Sequence, residues 1–192
     1  MVLRNIFLLS LFVSLIMSQE QLGSDIDGEA ADDHSGWSVS LDSDGDRVAI
    51  GAFQNDGSFN NAGHVRIYSW DGSSWSQLGS DINGGGTDDR SGYSVSLDSD
   101  GDRVAIGATE ADGASSSFWN AGHVRIFSWD GSSWSQLGSD IDGEAADDDF
   151  GASVSLDSDG DRVAIGAYNN DGNGSDAGHV RIYSWDGSSW NQ

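Results

Sequence analysis

Ser38-Val39-Ser40-Leu41-Asp42-Ser43-Asp44-Gly45-Asp46-Arg47-Val48-Ala49-Ile50-Gly51-Ala52 is the stretch on which the fold turns. Val39 and Leu41 alternate with Ser38 and Ser40, the period of two of a half-buried strand. Asp42 to Asp46 make a tight turn in which Gly45 supplies positive φ. Val48 and Ile50 then point one way, while Ala49 and Gly51 point the other and let a neighbouring sheet approach closely. The stretch predicts a β-hairpin, with strand one over residues 36–41 and strand two over 47–52. The same fifteen residues return from Ser94 and again from Ser153.

The copying extends outward from this hairpin. Gln21-Leu22-Gly23-Ser24-Asp25-Ile26 recurs at Gln77, 56 residues on, and at Gln136, a further 59 residues on. Ala62-Gly63-His64-Val65-Arg66-Ile67 recurs from Ala121 and Ala177, and Trp70-Asp71-Gly72-Ser73-Ser74-Trp75 from Trp129 and Trp185. The first of these predicts a third strand over 64–70. The second predicts a turn at 71–74 and a fourth strand over 75–79, with Trp70 and Trp75 clasping the turn as a cross-strand pair. Four antiparallel strands repeated at a period near 57 residues predict an all-β chain of three β-propeller blades, approximately 21–76, 77–135 and 136–192. Parallel β-helix repeats are much shorter, and sandwiches rarely copy themselves to this degree.

Residues 1–18 are of another kind. A short start carrying Arg4 is followed by an apolar run from Ile6 to Met17 and then Ser18-Gln19. This is the layout of a secretory signal peptide, and the run is too short to span a bilayer, which takes about 20 residues. The expected product is a secreted chain over 19–192, without membrane insertion. It has no Cys, so its stability cannot come from disulfides.

The 192 residues carry 32 Asp and Glu against 8 basic residues, all Arg, for a net charge of -24. Nucleic acid and anionic membranes would repel such a chain, which argues against both as partners. Its 8 Trp set it apart from a disordered acidic tail.

The unit resembles the FG-GAP repeat, the blade of the integrin α-subunit propeller. The Phe-Gly of that family stands as Phe150-Gly151, with Ser35-Gly36 and Ser91-Gly92 in the other units. Its Gly-Ala-Pro corresponds to Gly51-Ala52-Phe53, Gly107-Ala108-Thr109 and Gly166-Ala167-Tyr168, the Pro being lost each time. The resemblance covers nearly all of 19–192. It implies extracellular adhesion or ligand binding to a protein or glycan, and no enzyme activity. A structural acidic array in an extracellular coat, without a specific ligand, is the alternative.

Many blades of that family carry a calcium loop between the two motifs. Here Asp42, Asp44 and Asp46 keep its acidic positions, as do Asp98, Asp100 and Asp102, and Asp157, Asp159 and Asp161. Arg47 stands where the turning Gly would be, and no closing carboxylate follows, whereas calcium takes 6–8 oxygens. The ligand count favours a solvated acidic hairpin partly neutralised by Arg47 and no cofactor; calcium is the alternative.

Other chemistry is sparse. His64, His123 and His179 share one strand position, as a structural side chain would. Arg66, Arg125 and Arg181 are expected to pair with Asp or cover Trp faces. Asp32-Asp33, Asp88-Asp89 and Asp147-Asp148-Asp149 are expected to be solvated. The copies differ most between strands two and three, where the second holds Phe118-Trp119, a candidate ligand anchor. Asn173-Gly174-Ser175 is a glycosylation sequon, usable in a eukaryotic source.

Propellers close with 4–8 blades. Three units predict two uncovered end sheets. Either two chains complete a six-bladed ring, or the chain is a piece of a longer array, which the in-register end at Gln192 favours.

Overall fold

The computed structural model describes residues 20–112 and 119–192. The signal peptide assigned to 1–18 and the candidate anchor Phe118 lie outside them. Among the described residues every regular element is a strand.

The first sheet is built from β1 (Ser38–Leu41), β2 (Arg47–Ala52), β3 (His64–Trp70) and β4 (Trp75–Gln77), in that order and antiparallel throughout. A short β5 (Ile82–Asn83) pairs with the other end of β3, through Val65↔Ile82 and His64↔Asn83. The second sheet repeats this with β6 (Ser91–Leu97), β7 (Arg103–Ala108), β8 (His123–Trp129) and β9 (Trp134–Gln136), and with β10 (Ile141–Asp142) on the far end of β8. The third has β11 (Ser153–Leu156), β12 (Arg162–Ala167), β13 (His179–Trp185) and β14 (Trp190–Asn191). Strands two and three fall where the sequence predicts them. The fourth is interrupted: it ends at Gln77, and the chain rejoins β3 at Ile82. The first two sheets therefore finish with residues that open the next sequence unit.

The hairpin pattern decides how the sheets stack. In the first sheet Ala49, Val65, Ile67 and Ile82 share one face, and they pack on Val95, Leu97, Val104 and Ile106 of the second. The opposite face of the second, with Ala105, Val124, Ile126 and Ile141, packs in the same way on Leu156, Val163 and Ile165 of the third. Two identical junctions thus join three blades in one direction.

Small residues allow the approach. Ser38 Oγ donates to the Gly92 carbonyl at 2.8 Å, and Ser94 Oγ to the Gly151 carbonyl at 2.7 Å. Gly92 and Gly151 hold φ of 88° and 91°, which only glycine adopts without strain. This explains why the Gly of the Phe-Gly motif stands in every unit although the Phe does not. Each turn after strand three is clasped by a tryptophan pair, Trp70–Trp75, Trp129–Trp134 and Trp185–Trp190, with ring centroids 5.4 Å apart in each case.

Candidate functional site

The acidic hairpins are built around their first carboxylate. Asp42 Oδ1 accepts the backbone N–H groups of Asp46 and Arg47 at 3.0 and 3.1 Å, and Asp98 and Asp157 do the same in their own hairpins. Asp44, Asp46, Asp100, Asp102 and Asp159 face solvent, and Asp161 is half-buried. Arg47 does not fold back on its own hairpin. Its Nη1 donates to the Gly101 carbonyl of the next blade at 3.0 Å, and Arg103 reaches Gly160 likewise. In each hairpin the first carboxylate is thus committed to the turn; in the first two the arginine is committed to the neighbouring blade, while Arg162 of the third lies 3.7 Å from its own Asp157. Burial pushes the Asp98 carboxyl up to about 6, helped by the neighbouring Asp102.

On strand three the histidines meet carboxylates. His64 Nδ1 lies 3.9 Å from Glu29 and 4.0 Å from Asp81, and His123 gathers Asp140 and Asp142. Burial lowers the pKa of both histidines, so both are held neutral. Arg66 and Arg125 lie alongside, their guanidinium groups 5.6 and 5.4 Å from the rings of Tyr68 and Phe127 rather than over Trp. They donate to the backbone carbonyls of Asp27 and Asn83. Arg66 also lies 3.7 Å from Glu29, and Arg181 pairs with the matching Glu144. The ligand atoms of Glu29, His64 and Asp81, and those of His123, Asp140 and Asp142, lie within 4.8 Å of one another, close enough to hold a metal ion.

The paired aspartates differ from expectation. Asp33 and Asp148 are buried, because they accept from Asn55 and Asn170, each at 2.9 Å, and anchor the loops after strand two. The signal was available in the sequence: Asn stands at the matched positions 55 and 170, and Ala111 replaces it in the second unit.

The asymmetric surface lies where the strand-one segments enter their sheets. Trp37, Phe53 and Tyr93 form a cluster across the first two blades, with centroids 4.8 Å apart for Trp37–Phe53 and 5.6 Å for Trp37–Tyr93. Phe53 is buried beneath, Tyr93 is half-buried, and Trp37 stays 53% exposed. His34 borders Phe53 at 5.4 Å, and Arg90 sits 5.9 Å from its ring centre while pairing with Glu110 at 3.0 Å. His34, Arg90 and Asp149 hold matched positions with φ of 56°, 59° and 53°, a left-handed conformation that costs a non-glycine residue about 1–2 kcal/mol. In the third blade Asn169 donates to Asp149 at 2.7 Å, and Asp149 pushes the exposed Tyr168 hydroxyl up to about 12.

Sequence reasoning missed this cluster because Trp37 and Tyr93 sit beside the most repetitive part of the unit, where Ala152 is the third member. Trp119, singled out from the sequence, is 66% exposed, and its carbonyl accepts from Asp147. Asn173 is exposed on the loop of the third blade.

Residues 139–183 match the family model of the FG-GAP repeat. No curated protein matches the chain. Among solved structures, a Bacteroides uniformis protein assigned as a 6-phosphogluconolactonase aligns with a TM-score of 0.57 at 12% identity, over 85% of this chain and 40% of that one. A Kuenenia stuttgartiensis hydrazine synthase aligns with a TM-score of 0.49 at 8% identity, over 88% of this chain and 38% of that one. The chain spans about two fifths of the length of these structures. At such identity the first likeness is one of fold. Residues 139–183 thus carry an FG-GAP-type repeat, the other two units copy it in sequence and in strand order, and the chain is an all-β array of three propeller-like blades.

Proposed function

We propose that the chain is an extracellular binding module, not an enzyme, and that the surface formed by Trp37, Tyr93, His34 and Arg90 is its binding site. The observation that carries this reading is the 53% exposure of Trp37 on a packed aromatic base, at a position that holds Trp37, Tyr93 and Ala152 in the three copies. Where the copies agree, the shared fold accounts for what they share. A flat aromatic face rimmed by an imidazole, a guanidinium and carboxylates suits a neutral sugar ring, whose C–H face stacks while its hydroxyls bond at the edge. The charge of -24 disfavours anionic glycans. Secretion rests on the pattern of residues 1–18.

The test is calorimetric titration of the chain with hexasaccharides of β-1,4-glucan, β-1,3-glucan and chitin. Saturable binding to one of them is expected, weakened about tenfold or more in Trp37→Ala, a loss of about 1.4 kcal/mol. Failure to bind any of them, or equal binding by the variant, contradicts the reading and favours an acidic structural array.

A further inference from the structure

The two ends of the stack are the two halves of its internal junctions. At one end Val39 and Leu41 are 63% and 59% exposed, whereas their counterparts Val95, Leu97 and Leu156 are buried in junctions. At the other, Val180 and Ile182 are 68% and 60% exposed, whereas Val65, Ile67, Val124 and Ile126 are buried. One end therefore lacks what the other presents.

The match extends to strand pairing. In the first two sheets the start of strand three is flanked by Ile82–Asn83 and by Ile141–Asp142. Beside His179 and Val180 no strand pairs at this position among the described residues. Ile26 and Asp27 hold the matching sequence position and belong to no strand. They are nonetheless already placed. Arg66 donates to the Asp27 carbonyl as Arg125 does to that of Asn83, and Trp75 Nε1 donates to Leu22 as Trp134 does to Leu78.

We propose that a second copy of this chain docks head-to-tail on these faces, so that Ile26–Asp27 of one copy pairs with His179–Val180 of the other. Ser153 Oγ then meets the Gly36 carbonyl, as Ser38 and Ser94 meet Gly92 and Gly151. Two such contacts close six blades, within the 4–8 of known propellers. A face of four short strands covers roughly 300 Å². Two closed contacts bury four such faces, about 1,200 Å², the lower limit for a stable specific interface.

The experiment is light scattering on the full chain and on two variants, Val180→Glu and Leu41→Lys. Both residues are exposed in the single chain, and circular dichroism checks that each variant folds; Ile182→Glu and Val39→Lys replace either one that does not. The expected wild-type mass is twice that of the monomer. Each variant alone is expected to be monomeric, and an equimolar mixture to regain the dimer mass, because one intact contact remains and Glu faces Lys at the other. A folded wild-type monomer overturns the proposal. Loss of the dimer in only one variant indicates a symmetric contact and overturns it. A ladder of larger species shows that the contact does not close at two copies, and overturns it as well.

Discussion

Ser94 and Gly151 hold the second and third blades together: the Ser94 hydroxyl donates to the Gly151 carbonyl at 2.7 Å, and Gly107 lies directly against that carbonyl. A methyl group on Gly107 would collide with it, whereas the matching Gly166 meets only its own Ser153 side chain. Gly107→Ala is expected to destabilise the chain by about 3 kcal/mol through overpacking. In the Val180→Glu background, where the end contact is absent, Gly166→Ala is expected to cost under about 1 kcal/mol, since a hydroxyl can rotate away. Urea unfolding of the two variants measures the difference, and equal losses would contradict the stacking described.

Asp98 gives stability a pH dependence. Its pKa stands near 6 in the folded chain and near the usual 3.9 unfolded, so between these values the folded state holds the extra proton. This group's contribution therefore rises as pH falls from about 7 to 4. The buried His64 and His123 act in the opposite sense below about 6.5, because they must charge on unfolding. Comparison with Asp98→Asn isolates the carboxyl. The variant keeps an oxygen for the turn, and is expected to be more stable at pH 7 by on the order of 2 kcal/mol, with that advantage gone by pH 4. A constant difference across this range would contradict the assignment.

Trp134 packs half-buried against the junction of the first two blades, and its Nε1 donates to the Leu78 carbonyl at 2.8 Å. Trp134→Ala removes both and is expected to cost about 3 kcal/mol. Trp119→Ala, on an exposed loop, is expected to change stability by less than about 0.5 kcal/mol. Thermal melts of the pair decide this.

Much of the fold was legible because the unit is written three times. Alternation in Val39–Leu41 and Val48–Ile50 marks a strand pair wherever it occurs, and repetition turns three hairpins into three blades. The tryptophan clasp followed from spacing alone. The break in strand four was legible too but not drawn: Gly79-Ser80-Asp81 is turn chemistry, and Gly79 holds φ of 79°. Arg47 was misplaced because its partner, Gly101, lies 54 positions away and is met only once blades stack. The candidate site was the least legible part. Trp37 and Tyr93 belong to different units, and nothing local announces that Phe53 lies beneath both.

The most direct test of the binding surface is the indole N–H spectrum of the chain labelled with nitrogen-15 at tryptophan. Its 8 tryptophans comprise Trp37, Trp119 and the six of the turn clasps. On addition of a binding oligosaccharide, the resonance of Trp37, assigned from its loss in Trp37→Ala, is expected to shift while the six clasp resonances stay in place. Binding that leaves Trp37 unmoved, or that shifts Trp119 or the clasp residues instead, would contradict the account.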